Sequence, residues 1–470
     1  MGALVRVAAV ALAGSVLYYA GIVNSMVIER PDRLGAVLVV LGVGAAVTVI
    51  VVALAWDGRS GERRSAPRRD VFVHRAAWLV VCVMALVGAS WLVIAPRQHS
   101  NDWTPYHNDA IALNECAARL LLAGRDPYLD LDLFACYGRL GIGADRTTPL
   151  RRGSFSEVPV YPSDDELDAA WVARVRDSAA NVEFEWRPSY PALSFLLIAP
   201  WVRLGWDTNV LYVFCLLAAM TLVLVRTPAG LRPFMLTALF AAASLTAFTV
   251  GGSADLLYAL PLVAAWLWRE RRWSGLVYGI AVATKQLAWF FAPFFLIAVA
   301  ARQGWRVALR RAAEAAAVFV LANTPFIVAD PGSWLAGILA PVADPMFPRG
   351  AGLVFLATNG LAPLWPPLLY TALEAIAGGV CLLAAWRTRH SRPELGIVLA
   401  PVPLFFAYRS LFSYFFLLPL FAFAGLVRLP LVDVGPAAAR LTGALTLFAL
   451  PARLGPRSRR PVEASPAAAD

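Results

Sequence analysis

Lysine is almost missing from this 470-residue chain. Lys and Arg number 41 together, and Lys285 is the only lysine. Histidine is scarce as well, with four in all, and none falls in an HExxH pattern. The five cysteines include no CxxC pair. No GxxxxGK[ST] loop is present, and no GxGxxG follows a strand-like run. These absences exclude the usual zinc-protease and zinc-ribbon signatures, a Walker-type nucleotide site and a Rossmann site. No segment recurs at a fixed period, so a solenoid or propeller is excluded too. Charge is thin: Asp, Glu, Lys and Arg make up 15% of the chain, against ~25% in soluble domains.

What the chain has instead is apolar length. Hydrophobic residues reach 59%, and the mean hydropathy is +0.64. The excess comes in blocks near 7–27, 34–56 and 76–95 and in ten further blocks between 190 and 428. A helix needs ~20 apolar residues to cross a bilayer. The pattern predicts an all-α polytopic membrane protein of about 11–13 transmembrane or broken helices. A β-barrel would show short alternating segments. The net charge of +10 does not point to nucleic acid. The arginines sit mostly in short loops between apolar blocks, where they orient a membrane protein. The first segment, "MGALVRVAAVALAGSVLYYAGIV", reads as an uncleaved span, because a second apolar block follows at once. The Arg, Ala and Gly bias suggests a GC-rich bacterial genome, and hence a bacterial plasma membrane.

Four regions follow. Residues 1–95 hold the N-terminal spans. The joint "DGRSGERRSAPRRDVFVHR" carries six arginines against three acids, which makes it cytoplasmic and puts residue 96 outside. Residues 96–188 form one long polar insert with ten arginines against fifteen Asp and Glu, so it is expected to be extracytoplasmic. Residues 189–428 form the transmembrane core. Residues 429–470 form a cytoplasmic tail, partly disordered, with a Pro- and Ala-rich end. In the core, "RTPAGLRP", "RERRW" and "ARQGWRVALRR" all favour the cytoplasmic side. That makes "GGSAD" (251–255) and Lys285 the outer tips of two broken-helix hairpins, an arrangement tolerated where it lines a cavity.

The outer insert carries the densest polar pattern. Ile111, Ala112, Leu113, Cys116, Leu120 and Leu121 fall on one helical stripe from Asp109 to Ala123. Asn108 is a candidate N-cap and Gly124 a candidate C′ residue. The stripe predicts an amphipathic helix on the outer membrane surface, with Asp109 in its first turn. An Asp there, like Asp102 nearby, also serves simply as a cap, worth roughly 0.5–2 kcal/mol. Cys82, Cys215 and Cys381 lie in apolar blocks and are expected to be buried. Cys116 and Cys136 are the only two cysteines of the insert, and in an oxidising compartment they are expected to pair. Asp130 and Asp132 form a DxD triplet that an acidic loop produces by chance. His99 and His107 make no metal site without further ligands. No metal and no cofactor is expected.

A resemblance gives these residues roles. Asp109, then "AGRDPY" (123–128), "SYPALSFLLIAP" (189–200), "GGSADLLYALPL" (251–262), "GIAVATKQLAWFFAP" (279–293), "DPGSWLAGILAPVADPMFPRGAGL" (330–353) and "YRSLFSYFFLLP" (408–419) follow one another. This order resembles the polyprenyl-phosphate-sugar-dependent glycosyltransferases of the GT-C fold. The polyprenyl-phosphate-mannose-dependent α-mannosyltransferases are the most similar group. The resemblance covers roughly residues 76–428 and departs in places. Ala192 replaces a proline, the Gln and Asn of a Gly-Gln-x-Asn start are absent, and no His stands near Arg409. It implies an inverting transfer of a sugar, mannose in that group, from a polyprenyl phosphate to an acceptor hydroxyl at the outer face. Asp109 would be the catalytic base. Lys285, Arg409 and Arg125 would meet the donor phosphate. Tyr128, Tyr190 and Tyr414 would contact sugar or acceptor. The partners would be that donor, a lipid or glycan acceptor, and the membrane itself. The competing expectation is a lipid-linked sugar transporter, or flippase, of envelope biosynthesis, which needs no carboxylate at the loop helix.

Overall fold

The computed structural model describes residues 2–56, 68–102, 109–130, 136–137, 143–144, 147–158, 160–176, 183–250 and 252–429. Asn108, His107, Asp132 and the tail beyond Leu429 lie outside the described residues. Asp102 and His99 fall where only the backbone is described.

Helix makes up most of the described chain. Helices α1 (Ala3–Glu29) and α2 (Arg33–Ala55) form a hairpin. Asp32 caps α2 by accepting from the N–H groups of Leu34 at 3.3 Å and Gly35 at 2.7 Å. Helix α3 (Arg68–Asp102) leads into the insert, which holds α4 (Asp109–Leu122), α5 (Pro127–Asp130) and α6 (Asp164–Arg176). The "SYPALSFLLIAP" segment is not a span but two short turns, Leu193–Leu196 and Ala199–Arg203, packed on α4. The core then runs through α7 (Thr208–Arg226), α8 (Arg232–Ala241), α9 (Ser244–Val250), α10 (Leu256–Leu267) and α11 (Ser274–Thr284). It continues with α12 (Ala292–Gln303), α13 (Trp305–Ala329), α14 (Pro331–Ala343), strand β1 (Arg349–Gly350), α15 (Pro367–Thr388), strand β2 (Arg409–Ser410) and α16 (Leu418–Leu426).

Among the described residues seven helices are long and apolar enough to cross a bilayer, or eight if the α8–α9 pair, bent by 52°, is one span. Five shorter apolar helices stand beside them, so the expected transmembrane or broken helices divide into full-length and short ones. The block near 254–268 is one 12-residue helix, and the block near 275–300 is cut at Lys285 into an 11-residue helix and the 18-residue segment Gln286–Gln303. A 12-residue helix such as α10 spans ~18 Å, short of a ~30 Å hydrocarbon core. The full-length helices carry apolar surface outward: Leu321 and Val328 on α13 and Leu368 on α15 are 74–77% exposed. Such surface is a liability in water and costs nothing in lipid. The chain is thus an all-α polytopic membrane protein, with a two-residue parallel strand pair as an exception.

The cationic joints gather at one end. Arg269, fully buried, forks onto both oxygens of buried Glu394 at 2.7 and 2.6 Å, and the Trp266 indole adds a bond of 2.9 Å. Arg428 joins from α16's end and also bonds Glu270. Arg311 donates to the Arg272 carbonyl, which brings "ARQGWRVALRR" to the same place.

The other end is set by a reversal at Lys285. Helix α11 runs beside α13 in the same direction, with Gly275 against Arg311 and Glu314 and Gly279 against Ala315 and Val318. A Cβ on either glycine would come within 2.9 Å of α13 backbone atoms, so small residues are what allow the two axes to approach. The next segment, Gln286–Gln303, runs the opposite way. Gly304 (φ 85°) turns it into α13, and Trp289 meets Phe319 across that turn with ring centroids 5.9 Å apart. Between the two segments Lys285 is extended (φ −153°, ψ 138°). Lys285 is therefore the tip of a broken hairpin, level with about the seventeenth residue of α13, some 26 Å from its start.

Candidate functional site

At this tip end lies a cavity of about 1100 Å³. Its walls come from α1, the start of α4, the loop segments 147–151 and 185–190, the tips at 252–255 and 285–287, residues 341–349, the start of α15 and residues 404–416. Gly21, Phe248, Phe412 and Phe416 pack together as an apolar wall, Leu287 and Phe290 add further apolar lining, and Asp109, Arg151, Glu185, Lys285, Arg349 and Arg409 are among its charged groups.

Asp109 reaches the cavity from the first turn of α4. That helix is not amphipathic in place. Eight consecutive residues, Ile111 to Ala118, are buried, including Asn114 and Glu115. The expected surface helix is thus a buried one, with the 193–203 turns packed on it. Glu115 is paired with Arg119 at 2.6 Å. The C-terminal end follows expectation: Gly124 adopts φ 75°, and the Arg125 N–H donates to the Leu120 carbonyl at 3.0 Å. Cys116 and Cys136 form a disulfide that ties α4 to the following loop. Cys215 and Cys381 are buried, whereas Cys82 is exposed on α3. The expectation for Cys82 is corrected: it sits on a peripheral helix, where a small apolar side chain can face lipid.

The Asp109 carboxylate accepts a hydrogen bond from the Thr148 hydroxyl. Thr148 is itself fixed. Its carbonyl accepts from the Glu185 N–H at 2.9 Å, and Leu150 N–H donates to the Glu183 carbonyl at 2.7 Å. Bridges join Pro149 to Phe184 and Leu150 to Met346. Three chain segments thus meet over the cavity. Where they meet, Glu185 faces Asp344, and Asp344 is also bound by Arg152 at 2.9 Å. Burial, then the Asp344 carboxyl beside it, pushes the Glu185 carboxyl up to about 7. Between Asp109 and Glu185, the buried Tyr137 phenol is pushed well above its ordinary range, first by burial and then by these two carboxylates.

Lys285 is not a free cation. Its Nζ lies 2.5 Å from Asp255 Oδ1 and 5.0 Å from the centroid of the Tyr190 ring. The tips of the two broken hairpins are therefore joined by a largely buried ion pair. Gln286, next along, donates to the carbonyls of Ser189 at 2.6 Å and Ile338 at 3.1 Å. The arginines on the opposite wall differ. Arg349 and Arg409 are register partners on the parallel strands β1 and β2. Arg349 donates to the Tyr161 hydroxyl at 2.5 Å and Arg151 to the Tyr408 hydroxyl at 3.4 Å. None of these three arginines has a carboxylate partner among the described residues.

Of the sequence-derived site residues, the structure brings Asp109, Tyr190, Lys285, Arg409 and Tyr414 to one cavity. Two are not brought there. Arg125 is half exposed and paired with Asp130 at 3.4 Å, away from the cavity. Tyr128 is buried behind the wall, between Phe195 and Phe326, and its phenol donates to the Tyr190 carbonyl at 2.6 Å. Its place is support for Tyr190, because the α5 turn points it inward. Sequence reasoning missed Thr148, Arg151, Glu185, Asp255, Asp344 and Arg349. Arg151 and Arg349 line the cavity at the tip end, away from the end where the cationic joints gather. Among the described residues, no three of His, Cys, Asp and Glu stand together as a metal site. No family model, no curated protein and no solved structure matches the chain.

Proposed function

We propose that the cavity is the active site of an inverting glycosyltransferase that uses a polyprenyl-phosphate sugar, mannose by the resemblance in the sequence. The observation that carries this reading is the meeting, in one cavity, of a carboxylate held by a hydroxyl (Asp109 on Thr148) with arginines that lack acidic partners among the described residues, beside an apolar wall. A sugar phosphodiester needs these three things. The phosphate leaves as an anion, so cations near it matter more than a general acid. The attacking hydroxyl must lose its proton, and Asp109 is the base that takes it. Attack from the face opposite the phosphate, through an oxocarbenium-like transition state, inverts the anomeric centre. The apolar wall of Phe248, Phe412 and Phe416 suits the polyprenyl chain.

In this reading the cavity opens to the extracytoplasmic side of a bacterial plasma membrane. The fold is of the GT-C kind, and the acceptor is a lipid or glycan hydroxyl. A transporter of lipid-linked sugar would share the broken hairpins but would leave the sugar–phosphate bond intact. The test is to supply the purified full chain with polyprenyl-phosphate mannose and a membrane lipid extract. Free polyprenyl phosphate should accumulate in step with a mannosylated lipid or glycan whose new linkage has the anomeric configuration opposite to the donor's. Intact donor at the end of the incubation would exclude the reading.

A further inference from the structure

The parallel pair β1–β2 is only two residues long, and one of its rungs is two arginines. Adjacent strands lie ~4.8 Å apart, and like charges directly opposite each other destabilise a ladder. Among the described residues no carboxylate forms an ion pair with Arg349, Arg409 or the nearby Arg151, although Asp109 and Glu374 line the same cavity. Elsewhere on the cavity rim cations are neutralised, Lys285 by Asp255 and Arg152 by Asp344.

The backbone is shaped to keep this rung. Gly350 adopts φ 142°, and a Cβ there would lie 2.0 Å from the Ser410 carbonyl oxygen. A Cβ at Gly352 would lie 2.1 Å from the Phe405 carbonyl oxygen. Ala351 N–H donates to the Ser410 carbonyl at 2.7 Å, and Leu353 N–H to the Phe405 carbonyl at 2.9 Å. The guanidiniums rest on neutral aromatics. Arg349 sits 4.8 Å from the Tyr161 ring centroid and Arg151 5.8 Å from that of Phe347. An aromatic support holds a guanidinium in place without cancelling its charge.

We propose that the Arg349–Arg409 rung, with Arg151 beside it, is a phosphate-ester site, and that Lys285 braces the hairpin tips instead of holding that phosphate. Two planar forks side by side match the oxygens of a phosphate better than one ammonium does. That the anion is a phosphate ester of a lipid rests on the function proposed above; that the site takes an anion rests on the geometry alone. Two sources share the chemistry: the polyprenyl phosphate, and the phosphodiester of an anionic acceptor lipid.

The test is lipid binding to the detergent-solubilised full chain, read by native mass spectrometry, with polyprenyl phosphate, polyprenol, phosphatidylinositol and phosphatidylcholine as probes. Binding requires no turnover, so an absence of transferase activity leaves this test intact. The double variant Arg349→Gln/Arg409→Gln should bind at least one of the two anionic lipids about tenfold more weakly than wild type, as expected for lost charge-assisted bonds. Polyprenol and phosphatidylcholine should bind both proteins alike, and Arg125→Gln should match wild type. Whichever anionic lipid loses affinity identifies the source. Equal binding of both anionic lipids to wild type and double variant would overturn the proposal. If the double variant does not fold, Arg409→Gln alone decides: weaker binding of an anionic lipid supports the site, and unchanged binding refutes it.

Discussion

Glu185 shows how a single side chain can be tuned by where the chain folds back. It is an ordinary loop acid in the sequence, yet it is 8% exposed and faces Asp344. Its carboxyl titrates at about 7 in the folded chain, above the 4.5 of a free glutamate. Between those values the folded chain keeps a proton that the unfolded chain has released. The stabilisation is complete below the free value and is lost as pH rises through about 7. Glu185→Gln keeps the hydrogen-bonding shape without the charge. Its melting temperature relative to wild type should therefore rise between about pH 5 and about pH 8, measured by thermal unfolding in detergent. A difference that does not change with pH would show that the pair does not share a proton. Asp109, by contrast, was legible from its position at a helix start. What the sequence could not supply was Thr148, because a bond across 39 residues depends on how the insert folds back.

At the scale of elements, the two broken hairpins are the informative feature. Lys285 stood out by composition, and the cationic joints implied that it lies at a tip. Its partner did not stand out. Asp255 belongs to "GGSAD", which reads as a loop, and the two residues are 30 positions apart. The pair fixes α10 against α11 where neither helix is long enough to span. Removing one partner of a largely buried pair costs ~3–5 kcal/mol, while replacing both by apolar residues is often neutral. Lys285→Met alone should thus lower the melting temperature sharply, and Lys285→Met/Asp255→Leu should recover most of it. If the double variant is no more stable than Lys285→Met, bracing is not what the lysine does. The amphipathic reading of α4 failed for a related reason. A helical stripe marks one buried face, but it cannot reveal that the 193–203 turns will pack on the helix and that Asn114 and Glu115 will be buried too.

For the whole molecule, the division of charge is the organising fact. One end gathers the Arg269–Glu394–Arg428 network, in which each buried cation meets a carboxylate. The other end holds a cavity where three arginines have none among the described residues and where Asp109 is held by a hydroxyl. Apolar block lengths made the membrane class plain from the sequence. They did not separate full spans from short helices, since hydropathy does not register the breaks at Gly252, Lys285 and Gly304. The arginine wall was half legible: Arg409 stood in a motif, while Arg349 is its neighbour only through a strand register spanning sixty residues. The most direct test of the proposed chemistry is single-turnover mannose transfer from polyprenyl phosphate by wild type and Asp109→Asn, with donor binding measured in parallel. Loss of the base should slow transfer by about 10²–10⁴-fold while donor affinity stays within a few-fold of wild type. Transfer by Asp109→Asn at the wild-type rate would contradict the assignment of Asp109 as the base.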